Sequence, residues 1–283
     1  MRKFWIRNNK GAEWPLNGEN GVIFAVPEGL GARWNILTAD LGHGFFAELE
    51  TDNVPAEPVA GELNFLPPNA YATYRSFVRF LTSSDQLILV YQPYGAEQYL
   101  CRGRFEFLQK GELDQTRILN VPVSFSTFSP WYLPKVMELV MQEASETDMT
   151  FPFDFTEDLT LASSLVGSWA VEISPAGDQP ASLVFSYSGP AINPVLTLTG
   201  SDSEEELGRC AIDATVSGLN YSSQYLDSYV TDGSGEDLTD DISPGHDPFF
   251  RCRVTEPCVL RLQDDGELSG SATVAVNYFF RSV

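Results

Sequence analysis

TYRSFVRFLTSSDQLILVYQPY, residues 73–94, decides how this chain is read. In its second half Leu87, Leu89 and Tyr91 recur at period two, which places alternate side chains on one face of a strand. The SSD triplet at 83–85 supplies a break. In the first half Phe77, Arg79 and Leu81 continue the alternation, whereas Tyr74, Phe77, Val78 and Leu81 also fit one face of a short helix. On sequence alone both readings of that run stay open.

Outward from this pair the pattern repeats. Upstream, FWIRN, NKG, GVIFAV and PEGLG alternate short apolar runs with Gly, Asn and Pro breaks. Downstream, CRGRFEFLQKGEL and RILNVPVSFSTFS set polar residues between Phe105, Phe107, Leu119, Val121, Val123 and Phe125, as half-buried strands do. A composition with 19 Phe, 11 Tyr, 22 Gly and 18 Pro favours many short strands over long helices.

At 283 residues the chain exceeds what one all-β core usually organises, so two domains are expected. Between Ser129 and Thr160 the character changes, with Pro130, Pro134 and Pro152 as punctuation. One short run there, Lys135 to Glu143, sets Val136, Leu139 and Val140 on a shared helical face. Beyond Ser163 the runs SWAVEIS, ASLVFSYSG, NPVLTLTG, CAIDATV, FFRCRV, CVLRLQ and SATVAVNYFF suit one sandwich of roughly seven to nine strands. The reading is therefore all-β with minor α: a β-rich domain over 1–130, a connector with a short helix over 131–162, and a β-sandwich over 163–283.

The net charge of −22, from 17 basic and 39 acidic residues, opposes binding to a phosphate backbone or to anionic lipid. Neither an apolar span of about 18 residues nor the apolar core of a signal peptide is present, so synthesis in a cytoplasm is expected. Cys101, Cys210, Cys252 and Cys258 are too few for a disulfide scaffold and read as reduced, buried residues. Cys252 and Cys258 flank RVTEP and are the pair that a tight hairpin would bring together under oxidation.

The search for chemistry returns little. His43 lies in an LGHGFF turn, His246 adjoins Asp247 in sequence, and no G-x-S-x-G nucleophile elbow occurs, so no catalytic residue is assigned. With 39 acidic residues a pair of carboxylates spaced for glycoside hydrolysis arises by chance and carries no weight. Asp232, Ser234 and Glu236 alternate as calcium ligands would, but Asp237 stands where the loop needs Gly, and a surface loop is the better reading. Gly31, Gly42 and Gly44 form no phosphate cradle. Trp131, Tyr132, Trp169, Tyr221 and Tyr225 are candidates for stacking on sugar, though aromatics of a β protein are mostly core or interface residues. No cofactor and no metal site are expected.

Taken in order, several segments resemble the distal tail protein family of long-tailed phages. They are N-x-x-G at Asn8 to Gly11, PEGLG at Pro27 to Gly31, the run from Tyr71 to Pro93, and the paired runs from Tyr99 ending in Trp131 and Tyr132. In the second half they are GDQPASLVFSYSGPAINPVLTL from Gly177 to Leu198, then DPFFRCRV, then ATVAVNYFFRSV. The resemblance implies a ring-forming, β-barrel-like N-terminal domain and a galectin-like C-terminal sandwich. It further implies a homohexamer in the virion tail tip, made in the host bacterial cytoplasm. That ring would join the tail tube protein to the tail hub or tail-associated lysin protein and carry receptor-binding proteins. DNA would pass the channel without specific binding, and no membrane is involved. Strand edges such as FEFLQK and VPVSFS would be satisfied by pairing across subunits. The alternative is a carbohydrate-binding host-recognition protein of a phage tail. The residues expected to matter are structural: Gly29 and Gly31 in the PEGLG turn, Trp131 and Tyr132 at the domain junction, and Gly189, Pro190, Asn193 and Pro194 in the sandwich turn.

Overall fold

Short apolar runs broken by Gly, Asn and Pro fold here as strands joined by tight turns. The computed structural model describes residues 2–31, 37–42, 45–49, 57–95, 97–142, 168–225, 227–244, 247–266 and 268–283. His43, Gly44, His246 and the connector from residue 143 onward lie outside the described residues. The chain divides into two units, Met1–Leu133 with Phe279–Val283, and Pro134–Tyr278.

The first unit contains β1 (Lys3–Asn8), β2 (Glu13–Pro15), β3 (Val22–Glu28), β4 (Leu37–Gly42), β5 (Phe45–Leu49), β6 (Val59–Phe65), α1 (Ala70–Thr82), β7 (Leu87–Gln92), β8 (Tyr99–Leu108), β9 (Leu119–Thr127) and the start of β10 (Trp131–Glu138). Seven of these strands form one antiparallel sheet in the order β3-β6-β9-β8-β7-β1-β2, while β4 and β5 pair with each other. The sheet curls, because Leu16 donates to the Phe4 carbonyl at 2.8 Å and accepts from the Phe24 amide at 2.9 Å, drawing its two end strands together. Among the described strands no ladder closes the curl into a barrel. The reason is local: β2 is three residues long and ends on Pro15, which has no N–H to extend a ladder.

The open choice over residues 73–82 resolves as helix. Phe77 of α1 is fully buried, with its ring 5.5 Å from Trp14, 5.9 Å from Phe65 and 5.9 Å from Phe105. Tyr74, Phe80 and Leu81 pack on the same cluster, while Arg75, Ser76 and Arg79 face water. The 3.6-residue period thus overrode the alternation of Phe77, Arg79 and Leu81. The helix ends where the Ser83 hydroxyl turns back to donate to the Phe80 carbonyl at 2.7 Å.

Two expectations are corrected here. VPVSFS is not an edge, since β9 pairs with β6 on one side and with β8 on the other, whereas FEFLQK, at the end of β8, pairs with β9 alone, because β7 reaches only as far as Gly103. The short helix expected within 135–143 does not form, since β10 and β11 (Val140–Gln142) are extended. The apolar face that would have driven it stays unburied, with Val136 71% and Val140 68% exposed. Leu139 alone is buried, its amide donating to the Ala272 carbonyl.

The second unit adds β12 (Ser168–Ile173), β13 (Gln179–Tyr187), β14 (Ala191–Ile192), β15 (Val195–Gly200), β16 (Glu206–Ala211), β17 (Thr215–Val216), β18 (Leu219–Gln224), β19 (Asp227–Asp232), β20 (Cys258–Gln263) and β21 (Ala272–Phe280). One layer runs β19-β18-β13-β21-β10 and the other β11-β12-β20-β15-β16, with β14 and β17 as a separate pair. Alternate side chains of both layers are buried, among them Leu183 and Phe185 of β13, Leu196 and Leu198 of β15, and Leu260 and Leu262 of β20. This is the pattern of a sandwich core. Phe250 ties the layers, because its ring stacks on Tyr221 of β18 at 5.2 Å and its Cβ lies where a side chain on Gly208 of β16 would stand.

Candidate functional site

The residues singled out in the sequence fall into three places. At Gly29 the backbone is left-handed, φ +83°, and a Cβ would stand 2.3 Å from the Pro58 carbonyl oxygen, so this turn requires glycine. Gly31 carries no such demand: a Cβ there meets open space. Trp131 is buried in the first unit's core, with Tyr91 6.1 Å away edge-on. Tyr132 packs with Val90, Leu100 and Phe279, and its burial pushes the phenol pKa up against the opposing pull of Arg102.

The sandwich turn is built around a residue that sequence reasoning missed. Tyr187, at the end of β13, donates its hydroxyl to the Ser269 carbonyl at 2.6 Å and accepts from the Ser269 amide at 2.9 Å. Gly189 is the space that lets this happen, since a Cβ there would collide with the Ser269 carbonyl and the Tyr187 hydroxyl. The Pro190 carbonyl lies 3.2 Å from the same hydroxyl. Asn193 takes φ +49° and donates its side-chain amide to Asp265 at 2.8 Å, while the Pro194 carbonyl accepts from Ile212. Gly189 and Pro190 thus turn the chain from β13 into β14, Asn193 and Pro194 turn it from β14 into β15, and the Tyr-Ser-Gly-Pro order was the available signal for the first.

The calcium-like run proves to be turn chemistry. Asp232 Oδ1 accepts from the Ser234 amide at 2.7 Å, the Ser234 hydroxyl at 2.7 Å and the Glu236 amide at 2.9 Å. Asp237 does the same for the Thr239 amide and hydroxyl. These bonds hold both carboxyls below the usual carboxylate range. Among the described residues no group of three or more His, Cys, Asp or Glu side chains could hold a metal. The buried Asp264 accepts from the Ile192 amide at 3.3 Å, and its other oxygen has no protein partner.

Of the aromatics considered for sugar stacking, Tyr221 is fully buried and Trp131 and Tyr132 nearly so. Tyr225 is exposed, but the Arg251 guanidinium covers its ring at 3.5 Å. Trp169 is half-buried in β12, and among the described residues these five make no convergent aromatic platform. The exposed large apolar residues of the first unit are instead spread over loops and a strand end, with Tyr94 85%, Val26 67% and Phe128 63% exposed. Among the described residues no constellation activates a nucleophile or a water.

Comparison with known proteins adds a family match and shared folds. Residues 3–128 match the family model described as distal tail protein, N-terminal domain. No curated protein sequence matches the chain. Solved structures do, including a chain from the phage P2 baseplate in its activated conformation with calcium, TM-score 0.64 at 12% identity, covering 100% of both chains. The p2 baseplate with strontium gives 0.63 at 13% identity over the same extent. The SPP1 Dit protein, described as a paradigm of the hub adsorption apparatus in phages infecting Gram-positive bacteria, gives 0.59 at 10% identity, covering 97% of this chain and 98% of that one.

Proposed function

We propose that this chain, whose residues 3–128 match the family model described as distal tail protein, N-terminal domain, is a phage tail and baseplate structural protein that forms the ring joining the tail tube to the tail-tip hub. The ring is a homohexamer, the second unit is a platform for receptor-binding proteins, and the protein performs no catalysis. The observation that carries this reading is the extent of the likeness: the fold is shared with a baseplate chain over both units and over the full length of each chain.

The surface supports it. Tyr94, Val26 and Phe128 hold large apolar side chains in water, which a permanent assembly would bury. The acidic balance suits a wall past which DNA moves without being held.

Light scattering after size exclusion tests the proposal. The expected result is a particle of six times 31.3 kDa, or a climb toward it with concentration. Phe128→Ser should lower that mass while leaving the monomer's melting curve unchanged, because an exposed side chain contributes little to the fold. A strict monomer at high concentration, with no ring on a purified tail tube, would overturn the reading.

A further inference from the structure

Four cysteines are buried and unbridged, and they are not equivalent. Burial pushes the Cys101 and Cys210 thiols up to about 12, as for inert core residues. Cys252 and Cys258 instead act on each other: the neighbouring Cys258 pushes the Cys252 thiol up, Cys252 brings the Cys258 thiol down to about 7, and the Cys258 thiol lies 3.7 Å from the Glu256 carbonyl, to which it donates.

The backbone holds this contact from both sides. Cys252 is fixed by reciprocal bonds with Ala181 at 3.0 and 3.1 Å, and Cys258 opens β20 opposite Ile173 and Gly200. Between them the exposed residues Arg253, Val254 and Thr255 form a turn. Arg253 clasps it through Glu205 at 2.8 Å and Glu256 at 3.3 Å, and Ser201 donates to the Pro257 carbonyl. Two buried thiols that act on each other thus stand at the two ends of one short turn whose backbone is pinned on both sides, the arrangement from which a disulfide closes.

We infer that Cys252 and Cys258 are a disulfide-forming pair, closed by exchange with a small external disulfide once the protein leaves a reducing compartment. In the first step the Cys258 thiolate attacks one sulfur of that disulfide, forming a mixed disulfide and releasing one thiolate. Cys252 then gives up its proton and attacks the Cys258 sulfur, forming the protein disulfide and releasing the second thiolate. Two protein S–H bonds are lost, one S–S bond is gained, and the external disulfide is reduced to two thiols. The closed loop staples the segment carrying Phe249 and Phe250, which stack on Tyr221, to β20.

The experiment uses the full chain, reduced, freed of reductant and incubated with oxidised glutathione. It is then denatured, alkylated with N-ethylmaleimide and digested with trypsin. The expected product is a linked pair of peptides, residues 252–253 joined to 254–261, lighter by about 2 Da than the sum of the two free thiol peptides. Cys101 and Cys210 should remain fully alkylated. The oxidised protein should melt on the order of 5 °C above the reduced one, and Cys258→Ser should abolish both the link and the difference. Alkylation of all four thiols after incubation, or a glutathione adduct without the 252–258 link, would overturn the inference.

Discussion

At Gly29 one hydrogen in place of a methyl group decides whether the turn between β3 and the following chain exists. Gly29→Ala is expected to cost about 2 kcal/mol or more, since it combines a left-handed backbone with a contact that only backbone movement relieves. Gly31→Ala, in open space, should stay within about 0.5 kcal/mol. Urea titrations of both variants check the pair, and equal losses would refute the distinction. The PEGLG motif announced a turn but not which glycine it needs, because φ at each position depends on the partner strand, here Pro58, from elsewhere in the chain. Asx chemistry is more legible. Asn8 Oδ1 accepts from the Lys10 and Ala12 amides, Asp114 Oδ1 from the Thr116 and Ile118 amides, and Asp232 Oδ1 from the Ser234 and Glu236 amides, all local bonds that sequence spacing predicts. The Asp232 carboxyl is depressed, first by the Ser234 hydroxyl, so its contribution is complete above the unfolded value near about 3.9 and is lost as pH falls through the folded one. Amide exchange should therefore show Ser234 and Glu236 losing protection on acidification below that range. In Asp232→Ala the two amides should be unprotected at every pH.

At the scale of the element, α1 shows why a period count left two answers. Phe77 and Leu81 belong to both the alternating and the helical pattern, and the decision rested on Trp14, Phe65 and Phe105, three aromatics distant in sequence that form the surface receiving Phe77. Phe77→Ala should cost about 3–5 kcal/mol, as expected for a buried ring whose surroundings are held by other strands. Thermal unfolding with a matched probe of the first unit measures it, and a loss below about 1 kcal/mol would mean that α1 is not anchored there. The strand at 131–142 failed to read for the opposite reason. Val136, Leu139 and Val140 are spaced as a helical face, but the chain satisfies its amides by pairing, Tyr132 opposite Leu100 and Val140 opposite Ala170. Partners some thirty residues away on either side carry no local trace. For β8 and β9 the strands themselves were legible, and what was not is that β9 lies inside the sheet, because its second neighbour, β6, lies far earlier in the chain.

For the whole molecule the deciding quantity is charge. Two all-β units follow from length, aromatic content and turn spacing, whereas the curl of the first sheet and the pairing order of both depend on contacts that composition does not encode. The charge is fully legible: −22 on every copy. Among the described residues the ion pairs made by Arg7, Arg104 and Arg253 with Glu13, Asp85, Glu205 and Glu256 are partly exposed, and exposed pairs of this kind contribute little each. Copies brought into a ring therefore repel over a Debye length of about 10 Å at 0.1 M salt, and of about 3 Å at 1 M. If apolar contacts such as those offered by Tyr94 and Phe128 drive assembly, added salt removes the opposing term and leaves the driving one. The midpoint concentration for assembly should fall as sodium chloride is raised from about 0.02 to 0.5 M, with most of the change below about 0.15 M, where screening changes fastest. Sedimentation velocity across that series makes the measurement. A midpoint that rises with salt would mean that ion pairs between copies hold the ring, and would move the search for its contacts from the exposed aromatics to the arginines.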